Sequence, residues 1–347
     1  MADTKVTILG MSGAGKTCYL LGLYYMMTGG IKGYTISSDE DTDVELRNRY
    51  SKLCDVSLSR EERFPVGTDN ISKYSFELQY GFEDIMSFEW LDYPGGLLSK
   101  KNTQNYEDYE DIKNSINQSS SLLICVDGAL LVGNDVKEKI KNVKNQCSNV
   151  INSFFTDYLK YNKELPPTSI VITKYDICRE EVDEDEIVYV IKESFSPFFI
   201  QNGTKKIVSI IPVSIGIDIT EHNGVLNPVN LHLPIFWAIW FAMGKKMKFQ
   251  NASISQEKRK YESEISMYQK KLKQEEAGWF IFKNHKEIEK LKRIIADTRQ
   301  IHQKYLDREI ATYNKMSSQR EKLITELESI KLVFVDGKQV EDLKIFK

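Results

Sequence analysis

The sequence predicts an α/β fold: a doubly wound, Rossmann-like and mostly parallel sheet with one antiparallel strand, followed by a C-terminal helical hairpin or coiled coil. Continuous apolar runs such as Leu122 to Val126 alternate with helix-like segments, which is typical of strands buried on both faces of a parallel sheet. Two segments of alternating polarity, Lys73 to Tyr80 and Ile85 to Leu91, are joined by a short turn and predict the antiparallel strand. From Ser253 to Ile330 the chain has no proline and almost no glycine, which favours long helices.

The composition limits the class of protein. With 347 residues, 41% of them hydrophobic, the chain can form one large domain or one domain plus an appendage. A formal net charge of -3 gives no electrostatic reason to expect a nucleic acid as partner. The five cysteines lack CxxC spacing, which indicates free thiols in a reducing compartment. A strand is predicted almost at the N-terminus, and the longest apolar run, Leu233 to Met243, is too short to span a bilayer. We therefore expect a cytoplasmic protein without a signal peptide.

The first half of the chain shows four further elements. A strand is predicted at Val6 to Leu9, a helix from Thr17 to about Met27, and a second helix within Asp41 to Leu58. The apolar side of that second helix is expected to consist of Val44, Leu53, Val56 and Leu58. The polar stretch around it, between the first helix and the antiparallel pair, shows no other pattern. A fourth element, a helix with its flanking loop, is predicted at Asn102 to Gln118.

The second half continues the alternation of helices and strands to about residue 250. The predicted order is helix, strand, helix, strand and apolar helix, at Asp135 to Tyr161, Ser169 to Thr173, Asp183 to Phe195, Lys206 to Ile211 and from Pro234 onward. We assign residues 1–250 to the α/β domain. Trp237 and Trp240 in the apolar helix predict packing on the sheet, and contact with a membrane or a partner is the alternative.

The last hundred residues predict a helical hairpin at 251–331 and a short β-hairpin at 332–347. The heptad spacing of the two arms is carried by Tyr261, Ile265, Tyr268 and Leu272, and by Ile288, Leu291 and Ile295. The first arm is expected to continue from Pro234 as one helix, or to begin afresh with a cap at Ser253. Leu332 to Val335 and Val340 to Phe346 are the predicted β-strands, joined by an Asp-Gly turn.

The stretch from Gly10 to Thr17 fits the phosphate-binding pattern G-x-x-x-x-G-K-S/T, between a predicted strand and a predicted helix. Its glycines allow backbone N–H groups to turn inward around phosphates, and the helix N-terminus adds partial positive charge. Lys16 would reach the β- and γ-phosphates, and the hydroxyl of Thr17 would ligate Mg²⁺. The predicted nucleotide-binding set here is Gly10, Ser12, Gly13, Ala14, Gly15, Lys16, Thr17 and Cys18.

Two further motifs follow predicted strands and indicate which nucleotide is bound. Asp92-x-x-Gly95 fits D-x-x-G, in which Asp92 would hold Mg²⁺ and the N–H of Gly95 would sense the γ-phosphate. Thr173-Lys174-x-Asp176 fits N/T-K-x-D. The carboxylate of Asp176 would accept hydrogen bonds from guanine N1–H and its exocyclic amine, which adenine does not offer. Lys174 would cover the base with its aliphatic stem.

Ser214, after the next predicted strand, is placed for a backbone contact to the guanine carbonyl. The three motifs and this residue, in this order, predict GTP or GDP as ligand, with Mg²⁺. The chain resembles the P-loop GTPases of the Ras-like and translation-factor (TRAFAC) group over about residues 1–250. Within that group it looks most like bacterial GTPase-like domains of conflict and defence systems, which share the Asp-x-Pro-Gly-Gly form of Asp92 to Gly96. The resemblance implies a GTPase.

The sequence departs from that group at two places. Gly96 stands where many relatives carry a water-orienting glutamine, so intrinsic hydrolysis should be slow. Polar side chains near it are Ser99, Lys100 and Gln104, and nothing selects among them. The segment before the antiparallel pair is also long and must contain the threonine that would cap Mg²⁺. We choose Thr68, with Thr35 and Thr42 as alternatives, so the predicted catalytic set is Lys16, Thr68 and Gly95 and the predicted metal set is Thr17, Asp92 and Thr68.

These features predict a GTP-binding switch that transmits its nucleotide state through the helical hairpin to a protein partner or a second copy. Slow hydrolysis would be accelerated by that partner or by dimerisation. One alternative is a catalytically weak GTP-binding scaffold. Another is a dynamin-like, membrane-associated GTPase that uses the aromatic cluster Trp279 to Phe282 at the hairpin tip. The cluster is expected to fold back onto the arms, and membrane contact is the less favoured reading.

Overall fold

The computed structural model describes residues 4–65, 71–94, 106–162, 164–201, 203–216, 219, 224–277 and 285–346, with the backbone alone at 106–109. In these residues one sheet contains nine strands, in the order β2-β3-β4-β1-β5-β6-β7-β8-β9. The strands are β1 Thr4–Leu9, β2 Tyr34–Ser37, β3 Ser72–Tyr80, β4 Glu83–Asp92, β5 Ser121–Asp127, β6 Thr168–Thr173, β7 Ile207–Pro212, β8 Val333–Val335 and β9 Lys338–Gln339.

Helices connect these strands and continue beyond them. The helices are α1 Lys16–Thr28, α2 Glu40–Cys54, α3 Arg60–Arg63, α4 Tyr106–Gln118, α5 Val136–Val143, α6 Asn149–Tyr161, α7 Tyr175–Cys178, α8 Glu184–Ser194, α9 Ser196–Phe199, α10 Leu233–Ala277 and α11 His285–Leu327. Between α5 and α6 the predicted long helix passes through one π-helical segment, Lys144–Ser148. None of the described helices is both long and apolar enough to cross a membrane.

The centre of the sheet is parallel, as the apolar runs predict. Strands β4, β1, β5, β6 and β7 pair in parallel, and β3 runs against β4. Every residue of β6 is buried, as are the first six of β5, because helices cover both faces. The α/β fold class, with its mostly parallel sheet and the antiparallel pair, is confirmed.

Strand β2 is an element that the sequence did not predict. Its four residues, Tyr34–Ser37, pair antiparallel with β3 and form the edge of the sheet. Only Tyr34 and Ile36 of the strand are buried, so the apolar signal is two residues long. A run of that length is too short to be distinguished from loop by its pattern.

The short C-terminal β-hairpin, formed by β8 and β9, is part of the main sheet, because β8 pairs antiparallel with β7. Its turn is the predicted Asp336-Gly337, where both residues have positive φ, 49° and 78°. The predicted second strand, Val340 to Phe346, is wrong: β9 is Lys338–Gln339, and a 3-10 turn occupies Leu343–Phe346. The two-residue turn fixes the register, so pairing begins directly after Gly337.

The apolar side predicted for the second helix is wrong in part. Val44 and Val56 are 52% and 53% exposed, and α2 ends at Cys54, before Val56. The buried residues are Leu46, Tyr50 and Leu53, of which the prediction contains only Leu53. These lie four and three positions apart, which is the spacing of one helix face. The ring of Tyr50 stacks on Tyr25 of α1 at 3.9 Å, so this face packs on α1.

The chain forms two compact units, the first comprising residues 1–242 and 323–347 and the second residues 243–322. Helix α10 is continuous from Leu233 to Ala277, so no fresh cap interrupts it at Ser253. In the first unit, Trp237 and Trp240 of α10 are buried, and Phe236 packs on Tyr34 of β2 at 4.7 Å. The expected packing of this helix on the sheet is therefore confirmed.

In the second unit, the arms of α10 and α11 bury four residues of the predicted seam. These are Ile265, Ile288, Leu291 and Ile295. The aromatic cluster predicted for the tip, Trp279 to Phe282, lies outside the described residues. The division of the chain at residues 250 and 331 stays a prediction.

Candidate functional site

The predicted phosphate-binding loop connects β1 to α1 in a tight curve. Gly15 is the residue before the helix and has a left-handed conformation, φ 75°. Gly10 lies against β5, where a Cβ atom would come within 2.8 Å of the carbonyl oxygen of Cys125. A side chain at either position would displace the loop from the sheet. The N–H of Ala14 donates to the carbonyl of Met11 at 3.1 Å and closes the curve.

Lys16 places a buried cation inside this loop. Its Nζ donates to the carbonyl oxygens of Gly10 and Met11 at 2.8 and 3.3 Å, and lies 4.0 Å from Asp92 Oδ1. Only 7% of Lys16 is exposed. By contrast, Ser12 and Gly13 on the rim of the loop are exposed. The loop therefore presents a fixed positive charge below an open rim, which is the arrangement that binds an anion.

Asp92 ends β4 beside Lys16 and fits a cation site. It is 3% exposed, and among the described residues its Oδ1 has no hydrogen-bond partner. Burial raises the pKa of Asp92 to about 6, although the charges of Lys16 and Arg49 oppose this effect. A buried carboxylate oxygen without a hydrogen bond is unfavourable unless a ligand meets it. The donor set suits Mg²⁺, a hard cation that prefers oxygen ligands.

The predicted base-binding segment contacts the phosphate loop directly. Thr173 Oγ1, at the end of β6, donates to the carbonyl oxygens of Ala14 and Val126 at 2.8 and 3.1 Å. Lys174 has a left-handed backbone, φ 51°, which directs its side chain back over the loop. Its Nζ donates to the carbonyl of Gly13 at 2.9 Å. Two motifs separated by about half the chain therefore form one site.

Asp176 and Ser214 lie on the same side of this site. Asp176 is partly buried in the first turn of α7, and α7 is held to the segment after β7 by the N–H of Tyr175, which donates to Val213 O at 3.1 Å. The N–H of Ser214 already donates to Val229 O at 3.1 Å. Among the described residues, its buried Oγ has no partner. A contact from Ser214 to a base would therefore use this hydroxyl and not the backbone N–H that the sequence suggests.

Two site residues were missed by the sequence analysis. Asp127 ends β5 and forms an ion pair with Lys174, which holds that side chain over the loop. Gly128 follows it, and a Cβ atom there would lie 2.6 Å from the carbonyl oxygen of Thr173. Their position immediately after the apolar run of β5 is the signal that could have identified them, because ligands bind at the carboxyl ends of parallel strands.

The remaining predicted residues take no part in the described geometry. Thr68, Gly95 and Gly96 lie outside the described residues, as do Ser99, Lys100 and Gln104. The alternative Thr42 is occupied at the start of α2, where its N–H and Oγ1 both donate to Asp39 at 2.9 Å. Thr35 lies on β2, with its Oγ1 3.5 Å from Gln79 Oε1. Thr17 is partly buried on the first turn of α1, next to Lys16.

Cys18 completes the predicted set as a neutral thiol. Burial raises its pKa to about 11, so the thiol is not ionised near neutral pH. All described site residues lie at the carboxyl ends of the parallel strands β1, β4, β5, β6 and β7. The strand order reverses at β1, which lies between β4 and β5. This edge is where doubly wound sheets bind ligands. The arrangement can hold a phosphate chain at the loop, a metal ion at Asp92 and a flat ring near Lys174.

No protein-family model and no curated protein matches this chain. Among solved structures, the chain is similar to nucleolar GTP-binding protein 1 of Plasmodium falciparum. The TM-score is 0.36 at 12% identity, over 73% of this chain and 92% of that one. It is also similar to the FeoB G-domain of Methanococcus jannaschii, with a TM-score of 0.30 at 11% identity, over 65% of this chain and 91% of that one. For the GTP-bound GTPase-like domain of S. cerevisiae Ski7 the TM-score is 0.32 at 17% identity, over 61% of this chain and 42% of that one. At these TM-scores the likeness carries no argument about this chain.

Proposed function

We propose that this chain binds GTP and GDP together with Mg²⁺ and hydrolyses GTP. One observation carries the proposal: the hydrogen bonds from Thr173 and Lys174 to the carbonyl oxygens of Ala14 and Gly13. They join a phosphate-binding loop to a segment whose Asp176 discriminates guanine from adenine. The distance between phosphate loop and base pocket is therefore set within one hydrogen-bonded unit.

The phosphates would be held by the loop from Gly10 to Thr17, with Lys16 as the cation nearest to the β- and γ-phosphates. Thr17 and Asp92 would hold Mg²⁺, and Thr68 would complete the metal site in the triphosphate state. When bound, the metal supplies positive charge that neutralises the phosphate oxygens. The N–H of Gly95 would report the presence of the γ-phosphate.

The base would lie between Lys174 and the segment containing Ser214. Asp127 orients Lys174, since the ion pair and the bond to Gly13 O fix its Nζ at two points. Asp176 would accept the two guanine donors. On the other side of the base, the Oγ of Ser214 would be available, because it is buried and unpaired within the described part of the chain.

The biological role follows from the fusion of this site to a long helical hairpin. Ordering of loops by the γ-phosphate and Mg²⁺, and their release after hydrolysis, would change the surface offered to a protein partner or to a second copy. Because Gly96 replaces a water-orienting glutamine, we propose slow intrinsic hydrolysis that this encounter accelerates. We place the protein in the cytoplasm. A role in bacterial conflict or defence rests on the Asp-x-Pro-Gly-Gly form alone.

The test is phosphate release from GTP over a range of protein concentrations, with Lys16→Ala as the blank. We expect a low specific rate, abolished by Lys16→Ala, that rises with concentration if two copies complete the site. Asp176→Asn should shift selectivity from GTP towards xanthosine triphosphate, because the amide exchanges an acceptor for a donor. Equal affinity of the wild-type protein for ATP and GTP would contradict the proposal.

A second candidate is a GTP-binding scaffold without useful turnover, and the observation that favours it is again Gly96. It would retain guanine nucleotide through purification and release no phosphate at any concentration or with any partner. The same assay therefore separates the two candidates, provided that the bound nucleotide is identified after denaturing the purified protein.

A further inference from the structure

Helix α2, in the long segment between α1 and β3, lies on the same face of the sheet as α1. Tyr25 of α1 stacks on Tyr50 of α2, and the hydroxyl of Tyr24 donates to Asp43 Oδ1 at 2.6 Å. A stacked aromatic pair and a partly buried hydrogen bond fix α2 beside the helix whose N-terminus forms the phosphate loop. Side chains of α2 that point toward the sheet therefore lie on the face of the sheet that also carries α1.

Arg49 is the cation that α2 directs toward the sheet. Its Nη1 donates to the hydroxyl of Tyr74 on β3 and to Glu45 Oε1, both at 2.9 Å. The Tyr74 side chain is buried, whereas the side chain of Glu45 is 51% exposed. Arg49 keeps 31% of its side chain exposed, so the guanidinium has a fixed hydrogen bond and access to solvent.

The strand register places Tyr74, the hydrogen-bond partner of this guanidinium, close to the metal end of the site. Tyr74 pairs with Trp90 across β3 and β4, and Ser72 pairs with Asp92. Because alternate residues share a face, Tyr74 and Asp92 project from the same face, about 7 Å apart along the strands. Trp90 contacts Tyr19 of α1, with ring centroids 5.6 Å apart, so this face also carries the start of α1.

The charge of Arg49 acts on both walls of the phosphate loop. It lowers the pKa of the Asp92 carboxyl and of the Cys18 thiol, in each case against a larger opposite effect of burial. Asp92 lies on β4, and Cys18 lies on the first turn of α1. Three described cations therefore act on these two walls: Lys16 on Asp92, Lys174 on Cys18, and Arg49 on both.

We propose that Arg49 is a functional residue of the nucleotide site and binds the terminal phosphate of guanosine triphosphate. This proposal rests on the proposed function. The guanidinium exchanges its bond with Glu45 for two bonds to phosphate oxygens, which its planar fork can contact together. The side chain of Glu45 is 51% exposed and also accepts from the Tyr74 hydroxyl at 3.2 Å, so water and Tyr74 can solvate its carboxylate after the exchange. Arg49 would thereby supply, from the same chain, positive charge that stabilises the transition state of hydrolysis.

The chain offers a matched control on the same helix. Arg47 donates to both carboxylate oxygens of Asp43 at 2.8 Å, and the two residues are four positions apart, as Arg49 and Glu45 are. The Arg47 side chain is 53% exposed, and its partner Asp43 contacts α1 through Tyr24, whereas Arg49 contacts β3 through Tyr74. Arg47→Ala therefore removes the same charge from the same helix without the proposed contact.

The experiment compares the full-length wild type with Arg49→Ala, Arg49→Lys and Arg47→Ala. It measures the affinities for GDP and for a non-hydrolysable GTP analogue, with Mg²⁺, and single-turnover phosphate release. For Arg49→Ala we expect about fivefold or greater weakening of the triphosphate analogue, GDP affinity within about twofold, and release slowed by about tenfold or more. Arg49→Lys should recover only part of the loss, because an ammonium is a single point charge. Arg47→Ala should match the wild type in all three measurements.

The proposal is overturned if Arg49→Ala matches Arg47→Ala both in the ratio of its affinities for the GTP analogue and for GDP and in the rate of phosphate release. That outcome would leave GTP binding itself intact. Equal weakening of GDP and of the triphosphate analogue also overturns it, because the side chain then does not sense the terminal phosphate. If wild-type release is too slow to measure, the affinity ratio alone decides. A wild-type protein that binds no guanine nucleotide overturns the proposed function itself, and this outcome is recognised before any variant is compared.

Discussion

At the scale of single residues, Asp92 couples the stability of the free protein to pH. Its pKa is about 6 in the folded protein, above the ordinary value of 3.8, because the carboxyl is buried. Between these two values the folded protein holds a proton that the unfolded chain has lost. Stability from this group therefore falls as pH rises through that window, and the full penalty is present near neutral pH.

We predict that Asp92→Asn stabilises the protein free of metal and nucleotide near neutral pH, by up to about 3 kcal/mol at 1.36 kcal/mol per pKa unit. The gain should vanish below about pH 3, where the wild-type carboxyl is mostly protonated in both states. Urea unfolding at the two pH values, in the presence of a chelator, measures the difference. Asp43→Asn is the control of opposite sign, because hydrogen bonds from Arg47 and Tyr24 lower the pKa of Asp43. An equal gain for Asp92→Asn at both pH values would contradict the prediction.

Sequence motifs located the residues whose chemistry is local. Lys16, Thr173 and Lys174 are part of two short strings that carry their own context, and the structure brings the loops of these two strings together. Arg49 and Asp127 belong to no such string. Their contacts depend on partners that are distant in the chain, Tyr74 and Lys174. No local motif marks Arg49, and Asp127 is marked only by its position after the apolar run of β5.

At the scale of elements, the start of α10 contributes much of the packing on the sheet. Trp237 is fully buried, and its ring contacts Phe241 at 4.8 Å. We predict that Trp237→Ala destabilises the protein by about 3–5 kcal/mol, since it leaves a large cavity. Phe249→Ala, on the same helix but 67% exposed, should change the free energy of unfolding by less than about 0.5 kcal/mol. Denaturant unfolding of both variants is the measurement, and similar losses would contradict the prediction.

The type of an element could be predicted where its polarity pattern extends over many residues, but the pairing of strands that are distant in the chain could not. The strands β3 and β4 alternate over nine and ten residues, and their antiparallel pairing was expected from the turn between them. The pairing of β8 with β7 was not, because the helical hairpin separates the two strands in the chain. Local pattern specifies which face of a strand is buried, whereas the neighbour is chosen by tertiary packing.

At the scale of the whole molecule, the described part of the nucleotide site belongs to the first compact unit. Every residue that we assign to that site lies within residues 1–242. Within the second unit, residues 243–322, the arms are close at their base, since a Cβ at Gly244 would lie 3.0 Å from the Arg320 guanidinium. A short linker can therefore replace residues 245–319, which connect these two positions in the chain.

We predict that replacing residues 245–319 with a short glycine-serine linker leaves GDP affinity within about threefold, because a rigid scaffold positions the site residues independently. Any rise of hydrolysis with protein concentration should be lost. Removing residues 332–347 instead should unfold or strongly destabilise the chain, because Val333 and Phe334 of β8 are buried. Fluorescence titration with labelled GDP and thermal unfolding test both variants. Loss of GDP binding in the linker variant alone would contradict the prediction.

The pairing of β7 with β8 also has a consequence for biosynthesis. A ribosome makes β7 first, then both arms of the hairpin, and only afterwards the strand that covers the β7 edge. During that interval the nascent chain presents an uncapped strand with free backbone donors and acceptors, which is a template for association with other chains. Productive folding in the cell therefore depends on how quickly translation passes through the two long helices, or on a chaperone that shields this edge meanwhile.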